Sequence, residues 1–117
     1  MTLDDLRCRC KRLECDAPLP DVDRFNKLLE LEKEVGFPLT ITSGVRCTFW
    51  NAHEGGKANS GHLFDGETDL ACPTGIVRFQ LVAAAFKLGF DRIGIGKTFI
   101  HIGQSPNLVR RVIWTYY

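Results

Sequence analysis

The chain has three histidines, His53, His62 and His101, and each is a candidate metal ligand or proton carrier. His53 is followed by Glu54, as in helical zinc-protease motifs. Those motifs need a second histidine one turn on, and Lys57 stands there. Gly55 and Gly56 would also break the helix, so His53 reads as a loop histidine. His62 closes a glycine-rich stretch, and Asp69 lies in the short extended run after it. His101 sits inside the run Phe99-Ile100-His101-Ile102, where its strand neighbours point to the opposite face. It is either a satisfied core histidine or a ligand aimed at a site. Imidazole nitrogen and carboxylate oxygen both suit zinc. Two histidines and one carboxylate leave a fourth position open, as catalytic zinc requires.

Five cysteines, Cys8, Cys10, Cys15, Cys47 and Cys72, are an odd count for a chain of 117 residues. The first residues are charged and carry no apolar stretch of signal-peptide length, so synthesis in the cytoplasm with reduced thiols is expected. Cys8-Arg9-Cys10 has the wrong spacing for a redox Cys-x-x-Cys pair and is tight for a zinc-ligand pair. The cysteines are therefore read as ordinary thiols, several of them buried, with Cys72 the best fit to burial. A thiolate zinc site from Cys8, Cys10, Cys15 and Cys47 is the alternative.

Positioning these residues falls to one domain, residues 1–117, whose length allows a single core. A composition 44% hydrophobic and 25% charged excludes wholesale disorder. No run of about 18 apolar residues exists to span a membrane. The formal charge of +1 gives no broad field for a nucleic-acid backbone, and the basic cluster Arg7, Arg9, Lys11 and Arg12 is short and lacks interleaved aromatics. Residues 1–18 read as an irregular or short helical lead-in. Pro20–Asp23 starts a helix with Phe25, Leu28, Leu29 and Val35 at helical period, and Gly36 and Pro38 stop it. Leu39–Thr42 reads as a strand. Residues 44–61 are a long polar segment with one helical turn near Phe49–Ala52, and loops of that length are commonly functional. Strands are expected at 67–72, 92–96, 98–102 and 109–117, with a helix at about 75–88 before Gly89. That order predicts an α+β domain with a small antiparallel sheet and two main helices.

Read together, Ser43-Gly44-Val45-Arg46, Asn51-Ala52, Gly55-Gly56, Asn59-Ser60-Gly61-His62-Leu63, Asp69, Gly94-Ile95-Gly96 and Phe99-Ile100-His101 resemble the D-alanyl-D-alanine carboxypeptidase family of zinc peptidases. That family includes the vancomycin-resistance dipeptidases and many phage endolysins. The resemblance runs from about residue 20 to Trp114. The cysteine-bearing lead-in and the Val-Ile-Trp-Thr-Tyr ending look like its short phage-encoded branch. The resemblance implies His62, Asp69 and His101 as ligands of one catalytic zinc. It implies Arg46 as the catalytic and substrate-binding arginine that pairs with a substrate carboxylate or carbonyl, a task its planar fork suits. Ser60 is implied in the substrate pocket.

The chain departs from the family where a base should take a proton from water. A glutamate three residues before the last histidine is here Thr98, and the positions two residues to either side are Phe99 and Gly103. The usual glycine three residues after the first ligand is Asp65, and the usual alanine two before Asp69 is Glu67. In a strand Glu67 shares a face with Asp69. It reads as a surface carboxylate, with a view into the site or a hydrogen bond to a ligand histidine as the alternatives. The resemblance thus implies a zinc-dependent D,D-carboxypeptidase or endopeptidase acting on peptidoglycan stem or cross-link peptides, with no general base identified. Such a protein would reach the wall after lysis or as part of a virion. The rival is an inactive peptidase-like module with a structural or wall-binding role.

Overall fold

The computed structural model describes residues 1–57, 60–64 and 66–117. Helix α1 spans Val22–Val35. The Asp21 side chain accepts from Asp23 N at its start, and Gly36 ends it at φ 81, a left-handed value that glycine adopts without a Cβ penalty. Helix α3, Gly75–Lys87, is capped by Thr74, whose side chain accepts from Val77 N. Between them a shorter helix, α2, Thr48–His53, occupies the polar segment where one helical turn is expected. The lead-in holds a single 3-10 turn, Leu3–Leu6. The strands are β1, Ile41–Ser43; β2, Glu67–Ala71; β3, Arg92–Ile95; β4, Phe99–Gly103; and β5, Val112–Thr115.

One sheet contains all five, in the order β1-β2-β4-β3-β5. The β1–β2, β2–β4 and β4–β3 pairings are antiparallel, but β5 lies parallel to β3. The sheet is therefore mixed, not wholly antiparallel as the sequence predicts. The reason is topological: β2 and β3 occupy both edges of β4, so the last strand can join only at an outer edge. On β3 it arrives parallel.

Alternation along the strands gives the sheet two unlike faces. Leu70, Ile93, Ile100 and Ile102 enter a core with Leu28 and Leu31 of α1, Leu81 and Ala85 of α3, and Leu6 of the lead-in. Leu31, Leu70, Leu81 and Ile100 are fully buried, each contributing about 1.5–3 kcal/mol. Leu29, expected in the apolar stripe of α1, stays exposed. The other face is polar, and register aligns its residues in rows. Ser43, Asp69, His101, Gly94 and Trp114 are partners across the five strands. Glu67, Gly103, Arg92 and Val112 form the neighbouring row.

The lead-in braces this polar face from one side. Leu6 O accepts from Val45 N at 2.9 Å. Gly44 packs so closely that a Cβ there would overlap the Leu6 backbone, so the residue must be glycine.

Candidate metal centre

His62, Asp69 and His101 converge on the polar face. Their ligand atoms lie within 4.8 Å of one another and all three side chains are buried. His62 sits on a one-turn 3-10 helix, Gly61–Leu63, capped by Ser60 through a bond from His62 N to Ser60 Oγ. Asp69 and His101 are cross-strand partners. Asp69 Oδ2 lies 3.1 Å from His62 Nε2, and Asp69 Oδ1 lies 2.9 Å from His101 Nδ1.

Each imidazole is oriented from behind. His62 Nδ1 lies 2.7 Å from Gly44 O, which accepts its N–H and leaves Nε2 as the nitrogen turned to Asp69. His101 Nε2 lies 2.9 Å from Glu67 Oε1, which leaves Nδ1 facing Asp69. Glu67 is not the surface carboxylate the sequence suggests. It is 1% exposed, and it also accepts from Arg92 Nε at 2.8 Å and Ser105 N at 3.1 Å. It is the hydrogen-bonding partner of His101. Burial raises the Glu67 carboxyl, yet the bonds from His101 and Arg92 outweigh burial and leave it below its ordinary value. Burial likewise opposes ionisation of Asp69, but the two imidazoles hold its carboxyl far below the carboxylate range. Burial lowers His101, whereas Asp69 and Glu67 raise it, and the carboxylates win. Two imidazole nitrogens and a carboxylate, once His101 gives up its proton, match the donor types and number of a catalytic zinc site.

Arg46 lies beside the ligands, its Nη2 3.7 Å from Asp69 Oδ2. Its Nε donates to Ser43 Oγ at 3.0 Å and its Nη1 to Asn51 Oδ1 at 3.4 Å. Asn51, buried in α2, donates to Lys57 O at 2.8 Å and so ties the turn after α2 to the arginine. Glycine at 56 is required there, because a Cβ would overlap the Asn51 amide. Asn59, part of the sequence motif, and Asp65, one of the departures from it, lie outside the described residues.

A cleft of about 720 Å³ opens over His62, Asp69 and His101, lined by Arg46, Glu54, Ser60, His101, Trp114 and Tyr116 among others. Trp114 stands 5.2 Å from the His101 ring between centroids. Sequence reasoning places aromatics at the end of the chain but not in this wall, since only the parallel docking of β5 brings them there. Gly94 makes room: a Cβ would sit 2.7 Å from both the Trp114 and Tyr116 rings.

A second cluster gathers four of the cysteines that the sequence reads as ordinary thiols. The sulfurs of Cys8, Cys10, Cys15 and Cys47 all lie within 4.8 Å of one another, whereas Cys72 is fully buried in the core. His53 is exposed, stacking on Trp50 at 4.6 Å, and belongs to neither cluster.

The family model described as Peptidase M15 matches residues 1–103. Among curated proteins none matches the chain. Strand β5, with Trp114, and the adjoining Tyr116 lie beyond the matched segment.

Proposed function

The chain belongs to the Peptidase M15 family of zinc D-alanyl-D-alanine carboxypeptidase-type enzymes, and from that premise we propose that it hydrolyses stem or cross-link peptides of peptidoglycan. The observation that carries the proposal is the convergence of His62, Asp69 and His101 at a cleft, with the Arg46 guanidinium beside them.

His62 Nε2, Asp69 and His101 Nδ1 would hold the zinc. When bound there, zinc supplies Lewis acidity to a scissile carbonyl and lowers the pKa of water to about 7. Arg46 binds and orients the peptide through its fork, which pairs with a carboxylate by two parallel bonds. Ser60 borders the pocket and sets the turn that carries His62. Trp114 and Tyr116 form an apolar wall against which a peptide side chain packs. Glu67, buried with three donors on it, holds the His101 tautomer and orientation.

One observation favours a second reading, a wall-peptide-binding module without turnover. Glu67 is turned toward Arg92 and Ser105. Among the described residues the cleft's only other carboxylate besides the ligand Asp69 is Glu54, at the end of α2. Digestion of purified muropeptides with mass-spectrometric detection separates the two. Chelator-sensitive cleavage by the wild type, lost in His101→Ala and in Glu54→Gln, assigns an enzyme with Glu54 as the proton acceptor. Binding without cleavage by folded, zinc-loaded protein rejects the enzymatic proposal.

A further inference from the structure

We propose that Cys8, Cys10, Cys15 and Cys47 form a second metal site, a closed tetrathiolate centre for zinc that clamps the lead-in to the segment bearing Arg46.

Four sulfurs mutually within 4.8 Å form a cage, not a pair. Tetrahedral zinc with Zn–S of about 2.3 Å needs sulfurs about 3.8 Å apart, so small movements close this cage on an ion. A disulfide would explain two adjacent sulfurs and leave the approach of the other two without a cause. The odd count also resolves: four cysteines gather here, and the fifth, Cys72, is a core residue just past the end of β2.

The backbone is arranged for thiolates. Cys47 N donates to Cys8 Sγ at 3.2 Å, Arg12 N to Cys10 Sγ at 3.4 Å, and Trp50 N to Cys47 Sγ at 3.3 Å. A thiol is a weak acceptor, whereas a charged thiolate accepts such bonds well. The bond to Cys10 depends on Lys11, which sits at φ 56. A left-handed lysine costs on the order of 1 kcal/mol or more and needs a surrounding constraint. Burial does not provide it, because residues 11–16 are all exposed. Asp16, which accepts from Thr48 N and Oγ, and Arg12 over the Phe49 ring tie the stretch to α2, and an ion joining Cys10 and Cys15 to the buried Cys47 would fix its middle. Soft thiolate donors select zinc over magnesium or calcium, and four protein ligands leave no open position, so the centre is structural. Arg7, Arg9, Lys11 and Arg12, which interleave with the ligands, bring positive charge to a centre of net charge −2.

The clamp has a target. Cys47 directly follows Arg46, and the same segment carries Gly44, whose carbonyl orients His62. The ion would hold this strip against the lead-in.

The proposal does not depend on peptidase activity, and metal analysis of the full chain tests it separately. Zinc content and zinc-edge X-ray absorption are measured for wild type, Cys10→Ser and the double variant His62→Ala/His101→Ala. Two zinc ions per chain are expected in the wild type and one in each variant. The histidine variant should retain an ion surrounded by four sulfurs at about 2.3 Å. Zinc without sulfur neighbours in that variant, or none bound, overturns the proposal. If the histidine variant does not fold, the wild type itself is loaded with cobalt(II). Thiolate-to-cobalt charge-transfer absorption, lost in Cys10→Ser, supports the site, and its absence in the wild type overturns it. A wild type holding one all-sulfur zinc would sustain this inference while removing the catalytic one.

Discussion

The carboxylate of Glu67 occupies the space that a side chain at residue 103 would fill. The two residues are register partners, and a Cβ on Gly103 would overlap Glu67 Oε2. The family resemblance implies a polar or charged residue, such as aspartate, at the position of Gly103 and an alanine at that of Glu67. Here the carboxylate comes from the opposite strand, and the glycine is what admits it.

Replacing Gly103 by alanine should therefore act on the metal centre from behind. Overpacking of this kind costs about 1–3 kcal/mol, and loss of an outer partner to a ligand histidine costs about 10–100-fold in metal affinity. Glu67→Gln should show the affinity loss with less destabilisation. Zinc competition with a chromophoric chelator, alongside thermal denaturation, measures both. Unchanged zinc affinity in both variants would show that Glu67 does not tune the ligand.

Arg46→Lys should reduce kcat/KM by about tenfold to a hundredfold, the equivalent of one charge-assisted hydrogen bond worth about 1.5–3 kcal/mol. Lysine keeps the charge but loses the fork. Zinc content should stay at the wild-type level. A lysine variant with full activity would mean that charge alone suffices.

The chelated protein should have a stability optimum in mildly acid solution. His101 is raised above its ordinary 6.5, so its contribution is complete below that value and fades as pH rises through the folded value. Asp69 and Glu67 are lowered from 3.8 and 4.5, so theirs is complete above those values and fades in stronger acid. Zinc needs a neutral His101, so the ion should stabilise most at neutral and higher pH. Melting temperature against pH, with and without chelator, should give curves that converge on the acid side. A chelated protein with a flat profile between 5 and 8 would contradict the paired state of His101.

Gly94→Ala should expel the aromatic wall. Its Cβ would collide with Trp114 and Tyr116, at about 1–3 kcal/mol. Tryptophan fluorescence in a Trp50→Phe background reports whether Trp114 becomes solvated. An unshifted emission spectrum would show that β5 accommodates the methyl group.

Much of this was legible in the sequence because it is local. Asp21 and Gly36 bracket α1, and the alternation in Phe99–Ile102 puts His101 on the face opposite Ile100 and Ile102. The candidate trio His62, Asp69 and His101 was legible through the family resemblance, and the fold brings the three together. What escaped depends on contacts distant in the chain. Glu67-Thr68-Asp69 has the composition of an exposed strand, and only Arg92, Ser105 and His101 explain its burial. Cys47 meets Cys8 across 39 positions. The parallel seating of β5 has no signature in its own residues, because an edge is chosen by which neighbours are already taken.

The pairing of Asp69 with His101 also makes the centre a check on how the strands align. A slip of β4 by one residue would set Ile100 or Ile102 opposite Asp69, leave a carboxylate against a branched alkyl group, and turn His101 toward the helices. The misaligned sheet could neither satisfy Asp69 nor bind an ion. A bound ion would thus act as proofreading for the sheet, adding its own penalty to the loss of Ile100 and Ile102 from the core that the same slip entails.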